Sequence, residues 1–134
     1  MEVQEHWSAA EYQAYLKGQR AGNKFHAKKT LVNGREYDSR SEANRACELH
    51  MLERRGFIRN LREQVPFVLI DKQSGEYRKE RPLIYKADFV YEQMQGDGSF
   101  KQIVEDNKGH RTKDYIIKRK LMLYIHGISI YETG

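Results

Sequence analysis

Asp88, in Tyr85-Lys86-Ala87-Asp88-Phe89-Val90-Tyr91, and the triplet Asp106-Asn107-Lys108, in Ile103-Val104-Glu105-Asp106-Asn107-Lys108-Gly109, put two carboxylates and an amine on successive strand-like runs. Between the runs lies Gly96-Asp97-Gly98, a turn signal. With those three residues as the loop, Gln95 pairs with Ser99, and stepping outward brings Asp88 opposite Asp106. Side chains alternate along a strand, so Asp106 and Lys108 share the face of Asp88, and Asn107 points the other way. Two opposed carboxylates repel unless something cationic sits between them. A divalent metal and a lysine answer that need. The chemistry such a set can do is phosphodiester hydrolysis, with a Mg²⁺ ion on Asp88 and Asp106 and with Lys108 orienting water or stabilising developing charge. A two-residue Asp97-Gly98 turn would shift the register by one, set Asp88 against Asn107, and turn Glu105 to its face.

The elements that must position these residues follow from pattern and punctuation. Ser8-Ala9-Ala10-Glu11 has capping-box form and opens a short helix to Lys17, which Gly18 to Gly22 breaks. Thr30-Leu31-Val32 and Arg35-Glu36-Tyr37 flank an Asn33-Gly34 hairpin turn. Ser39-Arg40-Ser41-Glu42 starts a helix to Arg55, with Ala43, Ala46, Cys47, Leu49 and Leu52 near the inward side and Gly56 ending it. Strands are expected over Val65 to Ile70, Leu83 to Tyr91 and Lys101 to Asp106, with a turn at Ser74-Gly75. Thr112 caps a helix to His126 whose inward stripe reads Ile117, Leu121, Tyr124 and Ile125. Gly127 stops it, and Ile128 to Tyr131 is a last strand. The order from Ser39 is helix, three antiparallel strands, helix, strand, the final crossover adding a parallel neighbour.

A chain of 134 residues is read as one domain, residues 1–134, with a helix and β-hairpin extension over 1–38 and a catalytic core over 39–134. Its net charge of +5 points to an anionic partner. Nucleic acid is favoured over membrane, because no apolar run approaches a spanning helix and no signal peptide opens the chain. Cys47 is the single cysteine; it rules out an internal disulfide or a cysteine-built zinc site and is read as a buried structural thiol in a reducing cytoplasm. The five histidines show no metal-ligand spacing. Basic residues crowd the approach to the last helix, where His110, Arg111 and Lys113 suit DNA-backbone contact and Lys118 follows. Lys28 and Lys29 belong to a second basic cluster that would line the same channel or keep the arm soluble.

The order of elements, with Asp88 on the second strand and Asp-x-Lys on the third, resembles the PD-(D/E)XK nuclease superfamily. Within it, the likeness is to small phage-encoded endonucleases of the Holliday junction resolvase kind. It covers roughly Lys28 to Tyr131 and rests on Tyr37-Asp38-Ser39-Arg40-Ser41-Glu42-Ala43, Tyr85 to Phe89, Val104 to Gly109, and Lys113 to Lys120. The chain has Ala87 where the superfamily name expects proline. The resemblance implies an α/β restriction-endonuclease-like core and a Mg²⁺ site for which Mn²⁺ can substitute. It favours Asp106 over Glu105 as ligand, Glu105 being a structural residue instead. It brings Glu42 to the metal from the first helix, against a plain role in the Ser39–Glu42 capping box. It sets Gln64, just before the first strand, at the edge of the site, and turns Lys118 toward it. It also implies branched DNA such as four-way junctions as substrate, a homodimer, and action in a bacterial or phage-infected cytoplasm. A nicking or restriction-like nuclease of the same superfamily, or an inactive basic nucleic-acid-binding protein, are the alternatives.

Overall fold

In the computed structural model the described residues are 30–32 and 34–134. The expected helix from Ser8, together with Lys28 and Lys29, lies outside them. A small hairpin pairs β1 (Thr30–Val32) with β2 (Arg35–Tyr37), and α1 (Arg40–Arg54) follows. The main sheet has four strands: β3 (Ile58–Ile70), β6 (Leu83–Met94), β7 (Phe100–Asn107) and β8 (Tyr131–Thr133), in the order β3-β6-β7-β8. A two-residue ladder, β4 (Gln73–Ser74) with β5 (Lys79–Glu80), projects between β3 and β6, and α2 (Lys113–His126) connects β7 to β8. The β3, β6 and β7 pairings are antiparallel, and β7 runs parallel to β8. The architecture is mixed α/β, and among the described residues no helix is long and apolar enough to cross a membrane.

Both helices are capped as their sequences dictate. Ser39 Oγ accepts the Glu42 N–H at 3.1 Å, and Thr112 Oγ1 accepts that of Tyr115 at 3.1 Å. Gly127, at φ 66°, closes α2 in the left-handed conformation that glycine adopts without strain. The helices cover opposite faces of the sheet. Ala43, Ala46 and Leu49 of α1 pack with Phe89, Tyr91 and Ile103, while Tyr115 and Met122 of α2 pack with Val90 and Val104. Adjacent residues of one strand thus enter different cores, as the pleat requires.

That alternation slips once, at a place that matters. On β3, Glu63 turns to α1, where its Oε2 lies 3.0 Å from His50 Nε2, while Val65 joins the α2 core. On β6, Ala87 joins the α2 core and Phe89 the α1 core. Residues two apart should share a face, so both strands change face together, at Gln64 and at Asp88. The ladder pairs Glu63 with Phe89 and Val65 with Ala87 but not Gln64 with Asp88 between them, and Gln64 sits at φ 55°. A non-glycine residue held there stores strain of order 1–3 kcal/mol.

Several expectations are corrected. Gln64 lies inside β3, which begins at Ile58, because left-handed Asn60 and Gln64 break the alternation that would have announced a strand. The last strand is Tyr131–Thr133, further along than expected. Cys47 is exposed: the buried row of α1 runs through Ala43, Ala46 and Leu49 and leaves it outside. The inward row of α2 is Tyr115, Met122 and His126, with Leu121 only partly covered. Ile117 and Tyr124 are 54% and 87% exposed, and Ile125 is exposed too. Counting only apolar residues missed His126, which is buried with Nε2 2.8 Å from the Val68 carbonyl and turns the helix toward that side.

Candidate active site

One turn sets the register. Gln95 N–H donates to Ser99 O at 2.7 Å, Gly98 takes φ 86°, and Asp97 Oδ1 accepts from Ser99 N–H and Oγ at 2.9 and 2.6 Å. From there the β6–β7 ladder steps without a shift from Met94↔Phe100 to Phe89↔Glu105. The next step outward reaches Asp88 and Asp106. The Asn107 N–H donates to Asp88 Oδ2 at 2.9 Å, which fixes one oxygen of that carboxylate. This is the three-residue loop register, and the one-residue alternative does not occur.

Asp106 is fully buried. Its Oδ2 accepts the Tyr85 hydroxyl, and Lys108 Nζ lies 3.1 Å from Oδ1, an oxygen that otherwise has no hydrogen-bond partner. The Lys108 ammonium also rests 4.8 Å from the centre of the Tyr115 ring. Glu42 approaches from the first turn of α1. Its backbone N–H completes one arm of the cap, but its side chain accepts from Gln64 Nε2 at 2.8 Å. The returning arm of a capping box is therefore not what this carboxylate does.

The electrostatics record how close these acids are. Burial, and then the charges of Asp106 and Glu42, raise the Asp88 carboxyl well above the usual carboxylate range. Burial and the charge of Asp38 push Glu42 up to about 7, with Asp106 adding to the rise and Gln64 and Lys108 opposing it. Lys118 is half-buried and its ammonium is pulled down, by desolvation first, with Asp114 opposing the shift and Lys108 and Lys86 adding to it. Three carboxylates from three elements thus crowd one another with Lys108 among them.

Glu105 points to the opposite face. Its oxygens accept Arg45 Nε at 2.7 Å, Arg45 Nη2 at 2.9 Å, Tyr91 OH at 2.6 Å and Thr133 Oγ1 at 3.0 Å. A forked pair between buried Glu105 and half-buried Arg45 clamps α1 to the sheet. Arg45 is one turn beyond Glu42, so the clamp also aims Glu42. Of the basic residues, Arg111 is half-exposed and bound to Glu132 at 3.0 Å, whereas His110 and Lys113 are exposed. Tyr85, Tyr115 and Arg45 escaped the sequence reading. Two-residue spacing from Ala87 marks Tyr85 as an inward strand position, but nothing local marks its hydroxyl as a partner of Asp106.

The donor set suits a hard divalent cation. It is all oxygen, mutually repelling, and includes a buried carboxylate oxygen with only an ammonium beside it. Among the described residues no three His, Cys, Asp or Glu side chains stand close enough together to hold a metal ion. Mg²⁺ does not require three, since it binds one or two carboxylates and keeps several waters.

Residues 22–128 match a family described as a protein of unknown function (DUF1064), and the chain belongs to that family. The match runs across residue 38, the expected boundary between extension and core. No curated protein and no solved structure matches the chain.

Proposed function

We propose that this protein is a metal-dependent endonuclease that hydrolyses DNA phosphodiester bonds, with branched DNA such as four-way junctions as its substrate. The observation that carries the reading is the meeting of Glu42, Asp88 and Asp106 around Lys108, each acid brought by a different element. The sequence α1, β3, β6, β7, α2, β8 then corresponds to a restriction-endonuclease-like core, with the acids at the broken pair of β3 and β6 and the adjoining end of β7.

Asp88 and Asp106 would hold Mg²⁺, or Mn²⁺ in its place, with Glu42 beside them. Bound there, the ion supplies charge neutralisation on the phosphate and a water of lowered pKa. The protein's own groups do the rest. The Asn107 N–H and the Tyr85 hydroxyl each fix one oxygen of the two aspartates and leave the other directed to the site. Gln64 does the same for Glu42. Lys108, poised between Asp106 and the Tyr115 ring, orients the attacking water or receives the charge that develops on the phosphate. Lys118 adds positive potential behind it, and exposed Lys113 and His110 lie where the flanking backbone would run. Cutting two symmetry-related strands calls for two such sites, hence a two-fold dimer.

The test is incubation of supercoiled plasmid and of a synthetic four-way junction with Mg²⁺, with Mn²⁺ and with EDTA. Paired nicks in the junction with either metal, and none in EDTA, are expected. Failure to cut any DNA with either ion would refute the proposal, and equal cutting in EDTA would remove the metal from it.

A further inference from the structure

Beside the carboxylates, across the end of β7, is an open cavity of about 550 Å³. Its wall is formed by Arg40, Ser41, Asn44, Arg45 and Glu48 of α1, by Asn107, and by Thr133 and Gly134 at β8, the Glu48 carboxylate being paired with Arg45. The volume lies in the roughly 300–1,000 Å³ range of small-molecule sites, and the lining has no aromatic or large aliphatic side chain, its apolar surface coming from the stems of polar residues. Arg45 is engaged by Glu105 and Glu48, whereas Arg40 is exposed and has no ion-pair partner among the described residues.

We propose that this cavity binds the nucleotide next to the scissile phosphate, Asn44 reading the base edge and Arg40 the adjoining phosphate. The inference rests on the nuclease reading and adds a substrate subsite to it. The two sites share their walls. Ser41 precedes Glu42 on α1, and Arg45 follows it by one turn. Asn107 belongs to both: its N–H holds Asp88, while its side chain lines the cavity and donates to Thr133 Oγ1 at 3.3 Å. A strand whose phosphate met Asp88 and Asp106 would pass Asn107 at the end of β7 to bring its neighbouring nucleotide to the cavity on the Glu105 side. An asparagine amide offers a paired donor and acceptor for a base edge, and an unpaired guanidinium suits a phosphate. The site then contacts one unstacked nucleotide, which branch points and strand ends supply more readily than a continuous duplex.

The experiment is an abasic scan. Single abasic sites are placed at each position flanking the cut, and binding is followed by fluorescence anisotropy with Ca²⁺ in place of Mg²⁺. The wild type and Asn44→Leu, which fills the cavity from an exposed helix position, are compared, with Arg40→Ala as a second variant. The wild type should lose affinity about tenfold at one flanking position and little elsewhere. Asn44→Leu should bind normal DNA about tenfold more weakly and be indifferent to the abasic site at that position. Both variants should cleave bis(p-nitrophenyl) phosphate, which carries no nucleotide, at the wild-type rate. Equal abasic profiles in wild type and variants would overturn the subsite. A second readout separates its fate from that of the nuclease reading: amide NMR shifts at Asn44 and Asn107 on adding thymidine 5′-monophosphate to metal-free protein. If no DNA is cut but those shifts appear, the nuclease reading falls and the nucleotide site stands. Absence of the shifts together with equal abasic profiles removes the site.

Discussion

A carboxyl group that keeps its proton to about pH 7 needs a cause, and at Glu42 the cause is burial beside Asp38 and Asp106. The sign of its effect on folding follows from linkage. The folded chain holds a proton that the unfolded chain releases near 4.5, so the stabilisation is complete below that value and is lost as pH rises through about 7. Asp88, raised in the same direction, adds to the trend. In EDTA the melting temperature should therefore fall from about pH 5 to about pH 8, and Glu42→Gln should flatten part of that fall. A slope unchanged in Glu42→Gln would assign the titration elsewhere. Because the proposed ion binds the deprotonated acids, Mg²⁺ affinity should rise over the same window. Asp106→Asn and Asp88→Asn keep size but remove a charged ligand oxygen. Both should abolish cleavage and leave DNA binding within a few-fold, since phosphate contacts dominate affinity. Near-normal turnover in either variant at saturating Mg²⁺ would end the metal-site proposal.

At the scale of elements, the acids meet only because α1 is held at one angle to the sheet, and the Arg45–Glu105 pair holds it. Removing one partner of a buried pair costs about 3–5 kcal/mol. Glu105→Ala should therefore destabilise the fold by about that much in urea titrations, whereas replacing both residues by leucine should cost far less. If Glu105→Ala were as stable as wild type, the clamp would not be what fixes the helix. The hairpin register was legible only as one of two, since a Gly96-Asp97-Gly98 loop sets Asp88 against Asp106 and an Asp97-Gly98 turn sets it against Asn107, and the resemblance favoured the first. Both helices were legible from Ser39, Thr112 and Gly127. What local pattern could not carry was the paired change of face at Gln64 and Asp88. It arises from two strands adjusting to each other and hides seven residues of β3 behind broken alternation. The roles of Tyr85 and Arg45 were hidden for a similar reason, because each is defined by a partner more than twenty residues away. Glu42 was ambiguous because the same residue satisfies a cap by its backbone and the site by its side chain.

For the molecule as a whole, its +5 charge matters through where the cations stand. A basic protein that binds DNA through phosphates releases counterions, so its affinity falls with salt at a slope of about 0.9 per neutralised phosphate. The cations near the site are not equivalent. Lys113 is exposed and has no ion pair among the described residues, so it can reach a phosphate at little cost. Arg111 must first leave Glu132, which it meets at 3.0 Å and which Tyr115 and Arg119 also hold. Lys108 sits deeper, against Asp106, where under the proposed function it would act on the reacting phosphate more than on the flanking ones. Lys113→Ala should accordingly weaken binding and reduce the salt slope by about one unit, and Arg111→Ala should do so by less. Lys108→Ala should leave the slope nearly unchanged while turnover at saturating DNA drops by about a hundredfold or more. The measurement is DNA affinity over a series of salt concentrations, in Ca²⁺ to prevent cutting, followed by single-turnover cleavage in Mg²⁺. Should all three variants lower the slope alike and cleave normally once saturated, Lys108 would be one more backbone contact, and its part in the chemistry would have to be given up.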